Sequence, residues 1–145
     1  MTAAKGGGSS EEELKNRCSL RIVLQHVTLE VAPGTVRDCV AFWALLGFAE
    51  MVPPPMLRDE FVWVERDGTQ IHYAPTDDPS PPARRGHVAI VAPDYETVLR
   101  ALTEAGFELT EGANAWDAPR TFVRDPGGHR VEIMSAPPHP PWPGE

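Results

Sequence analysis

Residues 120–137 read RTFVRDPGGHRVEIMSAP. Thr121, Phe122 and Val123 are β-branched or aromatic, Asp125-Pro126-Gly127-Gly128 is turn chemistry, and 130–134 alternates polar with apolar. The stretch therefore reads strand, tight turn, strand. In the second strand Val131 and Ile133 point one way while Arg130, Glu132 and Met134 point the other. If the two β-branched residues pack on a helix, Glu132 faces whatever the other side of the sheet encloses. One such strand taken alone is better explained as half-exposed, with its acid in water.

The pattern occurs twice, which changes that reading. QHVTLEV (25–31) matches GHVAIVA (86–92), ALLGF (44–48) matches TEAGF (103–107), and DGTQIHYAP (67–75) matches PGGHRVEIMSAP (126–137), at an offset of about sixty residues. Each unit reads strand, helix, strand, strand, strand, and a repeat of this kind sets the architecture before any single element does. The fold expected is α+β, with two βαβββ modules forming a cupped mixed sheet around a central cavity. His26, His72, His87 and Glu132 occupy equivalent places in the first and last strands, all on the face away from the helices.

Outward from the repeat, 21–31 predicts one long strand, with Val27, Leu29 and Val31 inward and His26, Thr28 and Glu30 outward. Pro33-Gly34 breaks it, Thr35 is a candidate N-cap, and 36–46 predicts an amphipathic helix stopped at Gly47. A hairpin follows over 61–65 and 70–74. In the second unit Asp94 is set to cap a helix over 95–104 that Gly106 closes, and a short strand is expected over 107–110. The organisation expected is a flexible leader (1–19), a domain over 20–137 made of module one (20–75), a proline-rich linker (76–85) and module two (86–137), and a proline-rich tail (138–145) in which Trp142 is the one residue with bulk to dock.

The 145 residues suffice for one core or two half-domains sharing one. A net charge of −8 leaves no basic stripe for phosphates, which argues against a nucleic-acid partner. There is no apolar run of membrane-spanning length and no signal pattern, so a cytoplasmic protein without membrane association is expected. Cys18 and Cys39 form neither a CxxC nor a disulfide framework, and Cys39 falls in an apolar helical pattern.

HVTLEV with a helix ending LGF, the hairpin GTQIHY, the second HVAI and FVRDPGGHRVEI together resemble the vicinal oxygen chelate superfamily. That superfamily holds glyoxalase I, extradiol dioxygenases, methylmalonyl-CoA epimerase, fosfomycin-resistance thiol transferases and bleomycin-binding proteins. The resemblance covers about 20–137. It implies metal positions at His26 and His87 in the first strands and at Glu132 in the last strand of module two. His72 stands where glyoxalase I and the epimerase have a carboxylate; the resemblance makes it either a fourth ligand or, as at this position in the fosfomycin enzymes, a residue outside a three-ligand set. Imidazoles and a carboxylate converging in a cup make an N/O site suited to a divalent ion, Fe, Mn, Ni, Co or Zn. His129 and His139 are expected to take no part.

Thr28 and Glu132 are the candidate catalytic groups. Trp63 and Trp116 are candidate aromatic walls, and Arg120 and Arg130 are candidate cations for an anionic substrate, with an Arg130–Glu132 ion pair as the structural reading. The functional expectation is a metal-dependent lyase, isomerase or transferase acting on a small oxygen-chelating molecule. The alternative is a metal-free sequestering protein of the bleomycin-binding type. A homodimer is expected, because exposed sheet edges call for cover.

Overall fold

A computed structural model describes residues 22–141, so the leader and Trp142 lie outside the described residues. Its elements are β1 (His26–Val31), a 3₁₀ turn (Pro33–Thr35), α1 (Val36–Leu45), β2 (Ala49–Met51), β3 (Val62–Arg66), β4 (Thr69–Pro75), β5 (His87–Val91), α2 (Tyr95–Glu104), β6 (Thr110–Glu111), β7 (Arg120–Arg124) and β8 (Arg130–Met134). They form two four-stranded mixed sheets, ordered β1-β4-β3-β2 and β5-β8-β7-β6. In each sheet the first strand runs parallel to the last and the other pairings are antiparallel. The fold is thus α+β with two similar modules, and the two sheets are not closed into one.

The repeat is kept to the register. His26 lies beside Gln70 and Thr28 beside His72, while His87 lies beside Arg130 and Ala89 beside Glu132. Trp63 faces His72 across β3–β4 as Phe122 faces Glu132 across β7–β8. With a side-chain period of two, these residues fall on the face opposite Ile71, Tyr73, Val131 and Ile133.

The helix-side faces of both modules bury a common core that includes Trp43, Phe42, Leu46, Ile71, Tyr73, Leu102 and Ile133. Phe42 of α1 meets Phe107, just past α2, edge to face at 5.1 Å between ring centroids. A polar chain crosses the same junction. The Trp43 indole N–H donates to the Tyr73 hydroxyl (2.7 Å), and that hydroxyl donates to Asp125 Oδ2 (2.5 Å). Asp125 also accepts the His129 backbone N–H (2.8 Å) and lies 3.1 Å from His129 Nδ1. The buried polar atoms of this chain of contacts are tolerable because each finds a partner. Burial, then the neighbouring Asp125, pushes the Tyr73 hydroxyl's pKa up, so it stays a donor.

Arg66 adds a second tie between the modules. Its guanidinium donates to the Leu46 carbonyl at the end of α1 (2.5 Å) and to Asp94 Oδ1 before α2 (3.0 Å). It passes 3.0 Å from where a Cβ on Gly47 would sit, and Gly47 has φ +80°, so both sterics and backbone select glycine there.

Three local expectations need correction. The strand predicted from residue 21 begins at His26, because β4 starts at Thr69 and offers no partner farther back; Ile22, Val23 and Leu24 stay exposed. The strand predicted over 107–110 is two residues, Thr110–Glu111. Neither Thr35 nor Asp94 makes a side-chain cap; Asp94 is instead paired with Arg66.

Candidate functional site

The open face of module one carries a ladder of three rings. Trp63 on β3 stacks on His72 of β4 at 3.9 Å and 5°, and His72 stacks on His26 of β1 at 4.1 Å and 14°. The flanking carboxamides hold the imidazoles in plane: His72 Nε2 lies 2.8 Å from Gln70 Oε1, and His26 Nδ1 lies 2.7 Å from Gln25 Oε1. His72 is buried, and that desolvation, with His26 beside it, lowers its pKa to about 4. It is therefore neutral near pH 7. A cavity of about 560 Å³ opens over this ladder, bounded also by Thr28, Leu57 and Phe61. The Trp63 indole N–H is buried with no partner among the described residues.

The open face of module two is ionic. Glu132 is buried and held at both oxygens, with Arg120 Nη1 donating to Oε1 (2.8 Å) and His87 Nε2 at 2.8 Å from Oε2. Arg120 also donates from Nε to the Ala113 carbonyl, and its Cζ lies 4.7 Å from the Trp116 ring centroid. Trp116 donates its own N–H to the Ala136 carbonyl, so the loop before β7 is tied to the residues just past β8. An ion pair between Arg130 and Glu132, the structural alternative to a substrate role for Arg130, does not form. Arg130 lies over Phe122 instead, with Cζ 3.8 Å from the ring centroid, and Arg120 takes the carboxylate.

The expected convergence is only partial. His26 is brought to His72, and His87 to Glu132, but no group of three or more His, Cys, Asp or Glu among the described residues could hold a metal ion. The two pairs lie on separate sheets. Thr28 is exposed at the edge of the module-one cavity. His129 packs against Asp125 and His139 lies exposed in the tail, so neither joins either pair.

The hydrogen bonds tell whether these residues suit a divalent ion. His87 Nδ1 lies 2.9 Å from the Arg85 carbonyl, which can only accept, so Nδ1 carries a proton. In the neutral ring Nε2 then presents a lone pair to Glu132 Oε2, itself an acceptor. At that distance the two share one proton, carried by the ring or by the carboxyl group, unless both turn their lone pairs to a metal ion. A histidine whose far N–H is fixed by a carbonyl has the usual support of a metal ligand. Likewise, with Nδ1 donating to Gln25, His26 keeps Nε2 for a ligand. Module two thus offers two donors of the type that hold a divalent ion, His87 and Glu132, with no third within its own sheet among the described residues.

What sequence reasoning missed here is the pairing of Arg120 with Glu132 and the ring ladder. Both follow from cross-strand neighbours: Trp63 faces His72 directly, and Arg120 is diagonal to Glu132. Strand register was the signal available.

Residues 26–134 match the family model described as a glyoxalase-like domain. The chain belongs to that family, and with it to the vicinal oxygen chelate superfamily. A glyoxalase family protein from Bacillus anthracis superposes with TM-score 0.71 at 24% identity, covering 80% of this chain and 96% of its own. A glyoxalase/dioxygenase from Nostoc punctiforme gives 0.64 at 17%, with 92% and 99% covered. The fosfomycin resistance protein FosX from Listeria monocytogenes gives 0.64 at 15%, with 81% and 94% covered. These likenesses carry the fold alone. No curated protein matches the chain significantly. Among the described residues no helix is long and apolar enough to cross a membrane.

Proposed function

We propose that the chain is a divalent-metal-dependent enzyme acting on a small oxygen-chelating substrate in a lyase, isomerase or transferase step, and that two copies complete its site. In this reading His87 and Glu132 of one protomer and His26 of its partner hold the ion. The observation that carries it is the His87–Glu132 pair, an imidazole and a carboxylate 2.8 Å apart with the far side of the imidazole fixed by the Arg85 carbonyl. A bound divalent ion would supply Lewis-acid polarisation of a substrate oxygen. Arg120 keeps Glu132 Oε1 engaged, so Glu132 and His87 are the module-two residues that would hold the ion. Neutral His72 presses flat on His26 and fixes its ring plane. Thr28 offers a hydroxyl at the cavity edge, and Trp63, Phe61 and Leu57 keep water from one side of a bound molecule.

A second reading is favoured by one observation: Arg120 already neutralises Glu132, so the charge of the carboxylate is compensated without a metal. The alternative is thus a metal-free sequestering protein in which the Trp63 cavity takes up a small molecule.

The deciding measurement is the metal content of full-length protein prepared without chelator or a metal-binding tag, then reconstituted with Mn, Fe(II), Ni or Zn. Wild type should hold one ion per chain. Glu132→Gln and His26→Ala should each lose affinity by at least about tenfold. An equal mixture of the two variants should recover one intact site per mixed dimer if ligands come from two chains, and none if they come from one. Negligible metal in wild type after every reconstitution would favour the sequestering protein.

A further inference from the structure

On module two's open face, three arginines surround Phe122, and two of them are committed. Arg120 is held by Glu132 and the Ala113 carbonyl, and Arg124 donates to the Gly128 carbonyl at 2.7 Å. Arg130 has no hydrogen-bond or ion-pair partner among the described residues and rests only on the Phe122 ring, 3.8 Å from its centroid. Its guanidinium borders a recess of about 410 Å³ with Phe122, Arg124 and Thr110, and reaches a second of about 310 Å³ beside Thr28 and His87. In a chain of net charge −8 an unpaired cation in a recess is not required for solubility. Stacking on an aromatic face fixes the plane of the guanidinium fork, which lowers the cost of ordering it on a planar or tetrahedral oxyanion.

We propose that Arg130 is the seat for an oxyanionic group of the ligand, a carboxylate or a phosphate ester, with the rest of the ligand directed toward His87, its neighbour in the β5–β8 register. Glu108 lies exposed on the rim of the larger recess, so the anion sits against the Arg130 and Arg124 side. The proposal rests on the functional reading above only in taking this face as the ligand side, and it needs no metal. It selects small molecules bearing an anionic group over neutral ones, and the fork favours two-point recognition that a lysine cannot reproduce.

The test is a titration of the full-length protein with inorganic phosphate and, separately, with acetate, at ionic strength held constant with chloride. The backbone amide shifts of Phe122, Arg124 and Glu132 are followed by NMR. Saturable shifts are expected with one or both probes at about millimolar affinity, and the stronger probe identifies the anion class. Arg130→Gln should weaken binding about tenfold or more, and Arg130→Lys by less, since it keeps charge but loses the fork. Arg100→Gln, exposed on α2, should leave it unchanged. Linear, non-saturating shifts in wild type, or an equal loss in Arg100→Gln, would overturn the proposal. Undisturbed dispersion of the other amide signals establishes folding of each variant, with Arg130→Lys the milder change. Metal content measured on the same samples separates the two readings: an unchanged value in Arg130→Gln is expected, and saturable phosphate binding by a protein that takes up no metal would retain the anion seat while removing the metal.

Discussion

Glu132 on β8 and His72 on β4 occupy the same place in the two modules, yet one sits among charges and the other between rings. The exchange is systematic. Where module two has Arg120, Arg130 and Glu132, module one has Phe61, Gln70 and His72; Trp63 replaces Phe122 opposite the central residue. Among the described residues the titratable ring common to both faces at equivalent places is the first-strand histidine, His26 or His87. Backbone register has been kept through the repeat, while the chemistry of the open faces has separated into a neutral aromatic wall and an ionic one. A ligand held between two such walls would meet stacking surface on one side and charge on the other. Two copies of an identical wall would offer only one of these.

On the helix side the difference is asymmetric for another reason. Tyr73 of module one has Ile133 as its counterpart, and its hydroxyl is spent on Asp125 of module two. The largest effect expected is therefore at this junction. Asp125→Ala leaves the Tyr73 hydroxyl and the His129 backbone and ring N–H groups without their acceptor, at a cost of about 3–5 kcal/mol. Urea unfolding followed by Trp fluorescence measures it. A single cooperative transition that moves as a whole is expected, because the two modules share a core. Two separated transitions would show that they are independent bodies.

The next effect distinguishes the walls by pH. Burial holds His72 down at about 4 in the folded chain, against an ordinary value of 6.5. Between those values the unfolded chain binds the extra proton, so unfolding free energy rises with pH across that window. The stabilisation is fully present above about 6.5 and is lost as pH falls through about 4, with a scale of about 3 kcal/mol. Carboxylates titrate in the same range, so the readout is the difference between wild type and His72→Gln in the metal-free protein. Parallel stability curves would mean that His72 is as well solvated as an exposed imidazole.

The repeat, both helices, the hairpins and the inward placing of Val131 and Ile133 were legible in the sequence, because period-two and helical apolar patterns are local and the turns carry glycine or proline. The DPGG turn was legible as a turn but not as a junction. Nothing local to Asp125 reveals that its carboxylate will meet a tyrosine fifty-two positions earlier. The start of β1 was misread for a related reason: Ile22-Val23-Leu24 has strand chemistry, but a strand needs a partner, and β4 supplies none there. Of the site, the two histidine–partner pairs could be read from face and position. Their separation into two sheets could not, since periodicity assigns a residue to a face and says nothing of how faces of different modules are disposed.

Glu132→Gln gives the third effect, on stability of the metal-free chain. The amide keeps the shape but removes the charge that Arg120, itself only 19% exposed, pairs with. A loss of about 1–2 kcal/mol is expected from chemical denaturation, with little change in the slope of the transition. A gain in stability would mean that the carboxylate is held by the fold at a cost which the Arg120 pair does not offset, strengthening the case for a bound divalent ion in the working protein.

The smallest effect tests whether ion-pair chemistry or its surroundings set these magnitudes. Module one has its own arginine–glutamate pair, Arg37 with Glu50, bonded at both nitrogens at 3.0 and 2.9 Å. Its geometry is better than that of Arg120–Glu132, which is engaged through one nitrogen. Its side chains, however, are 60% and 46% exposed, so water solvates both charges whether or not they meet. High effective dielectric and side-chain entropy then cancel most of the attraction, and Arg37→Gln is expected to change unfolding free energy by no more than about 0.5 kcal/mol. That residual should shrink further in about 0.5 M salt, where screening is strong. The Glu132→Gln effect should persist there, because Glu132 is shielded from the same ions. If Arg37→Gln costs as much as Glu132→Gln at both salt concentrations, burial is not what separates the two pairs, and the ionic wall of module two loses its claim to be a built site rather than ordinary surface.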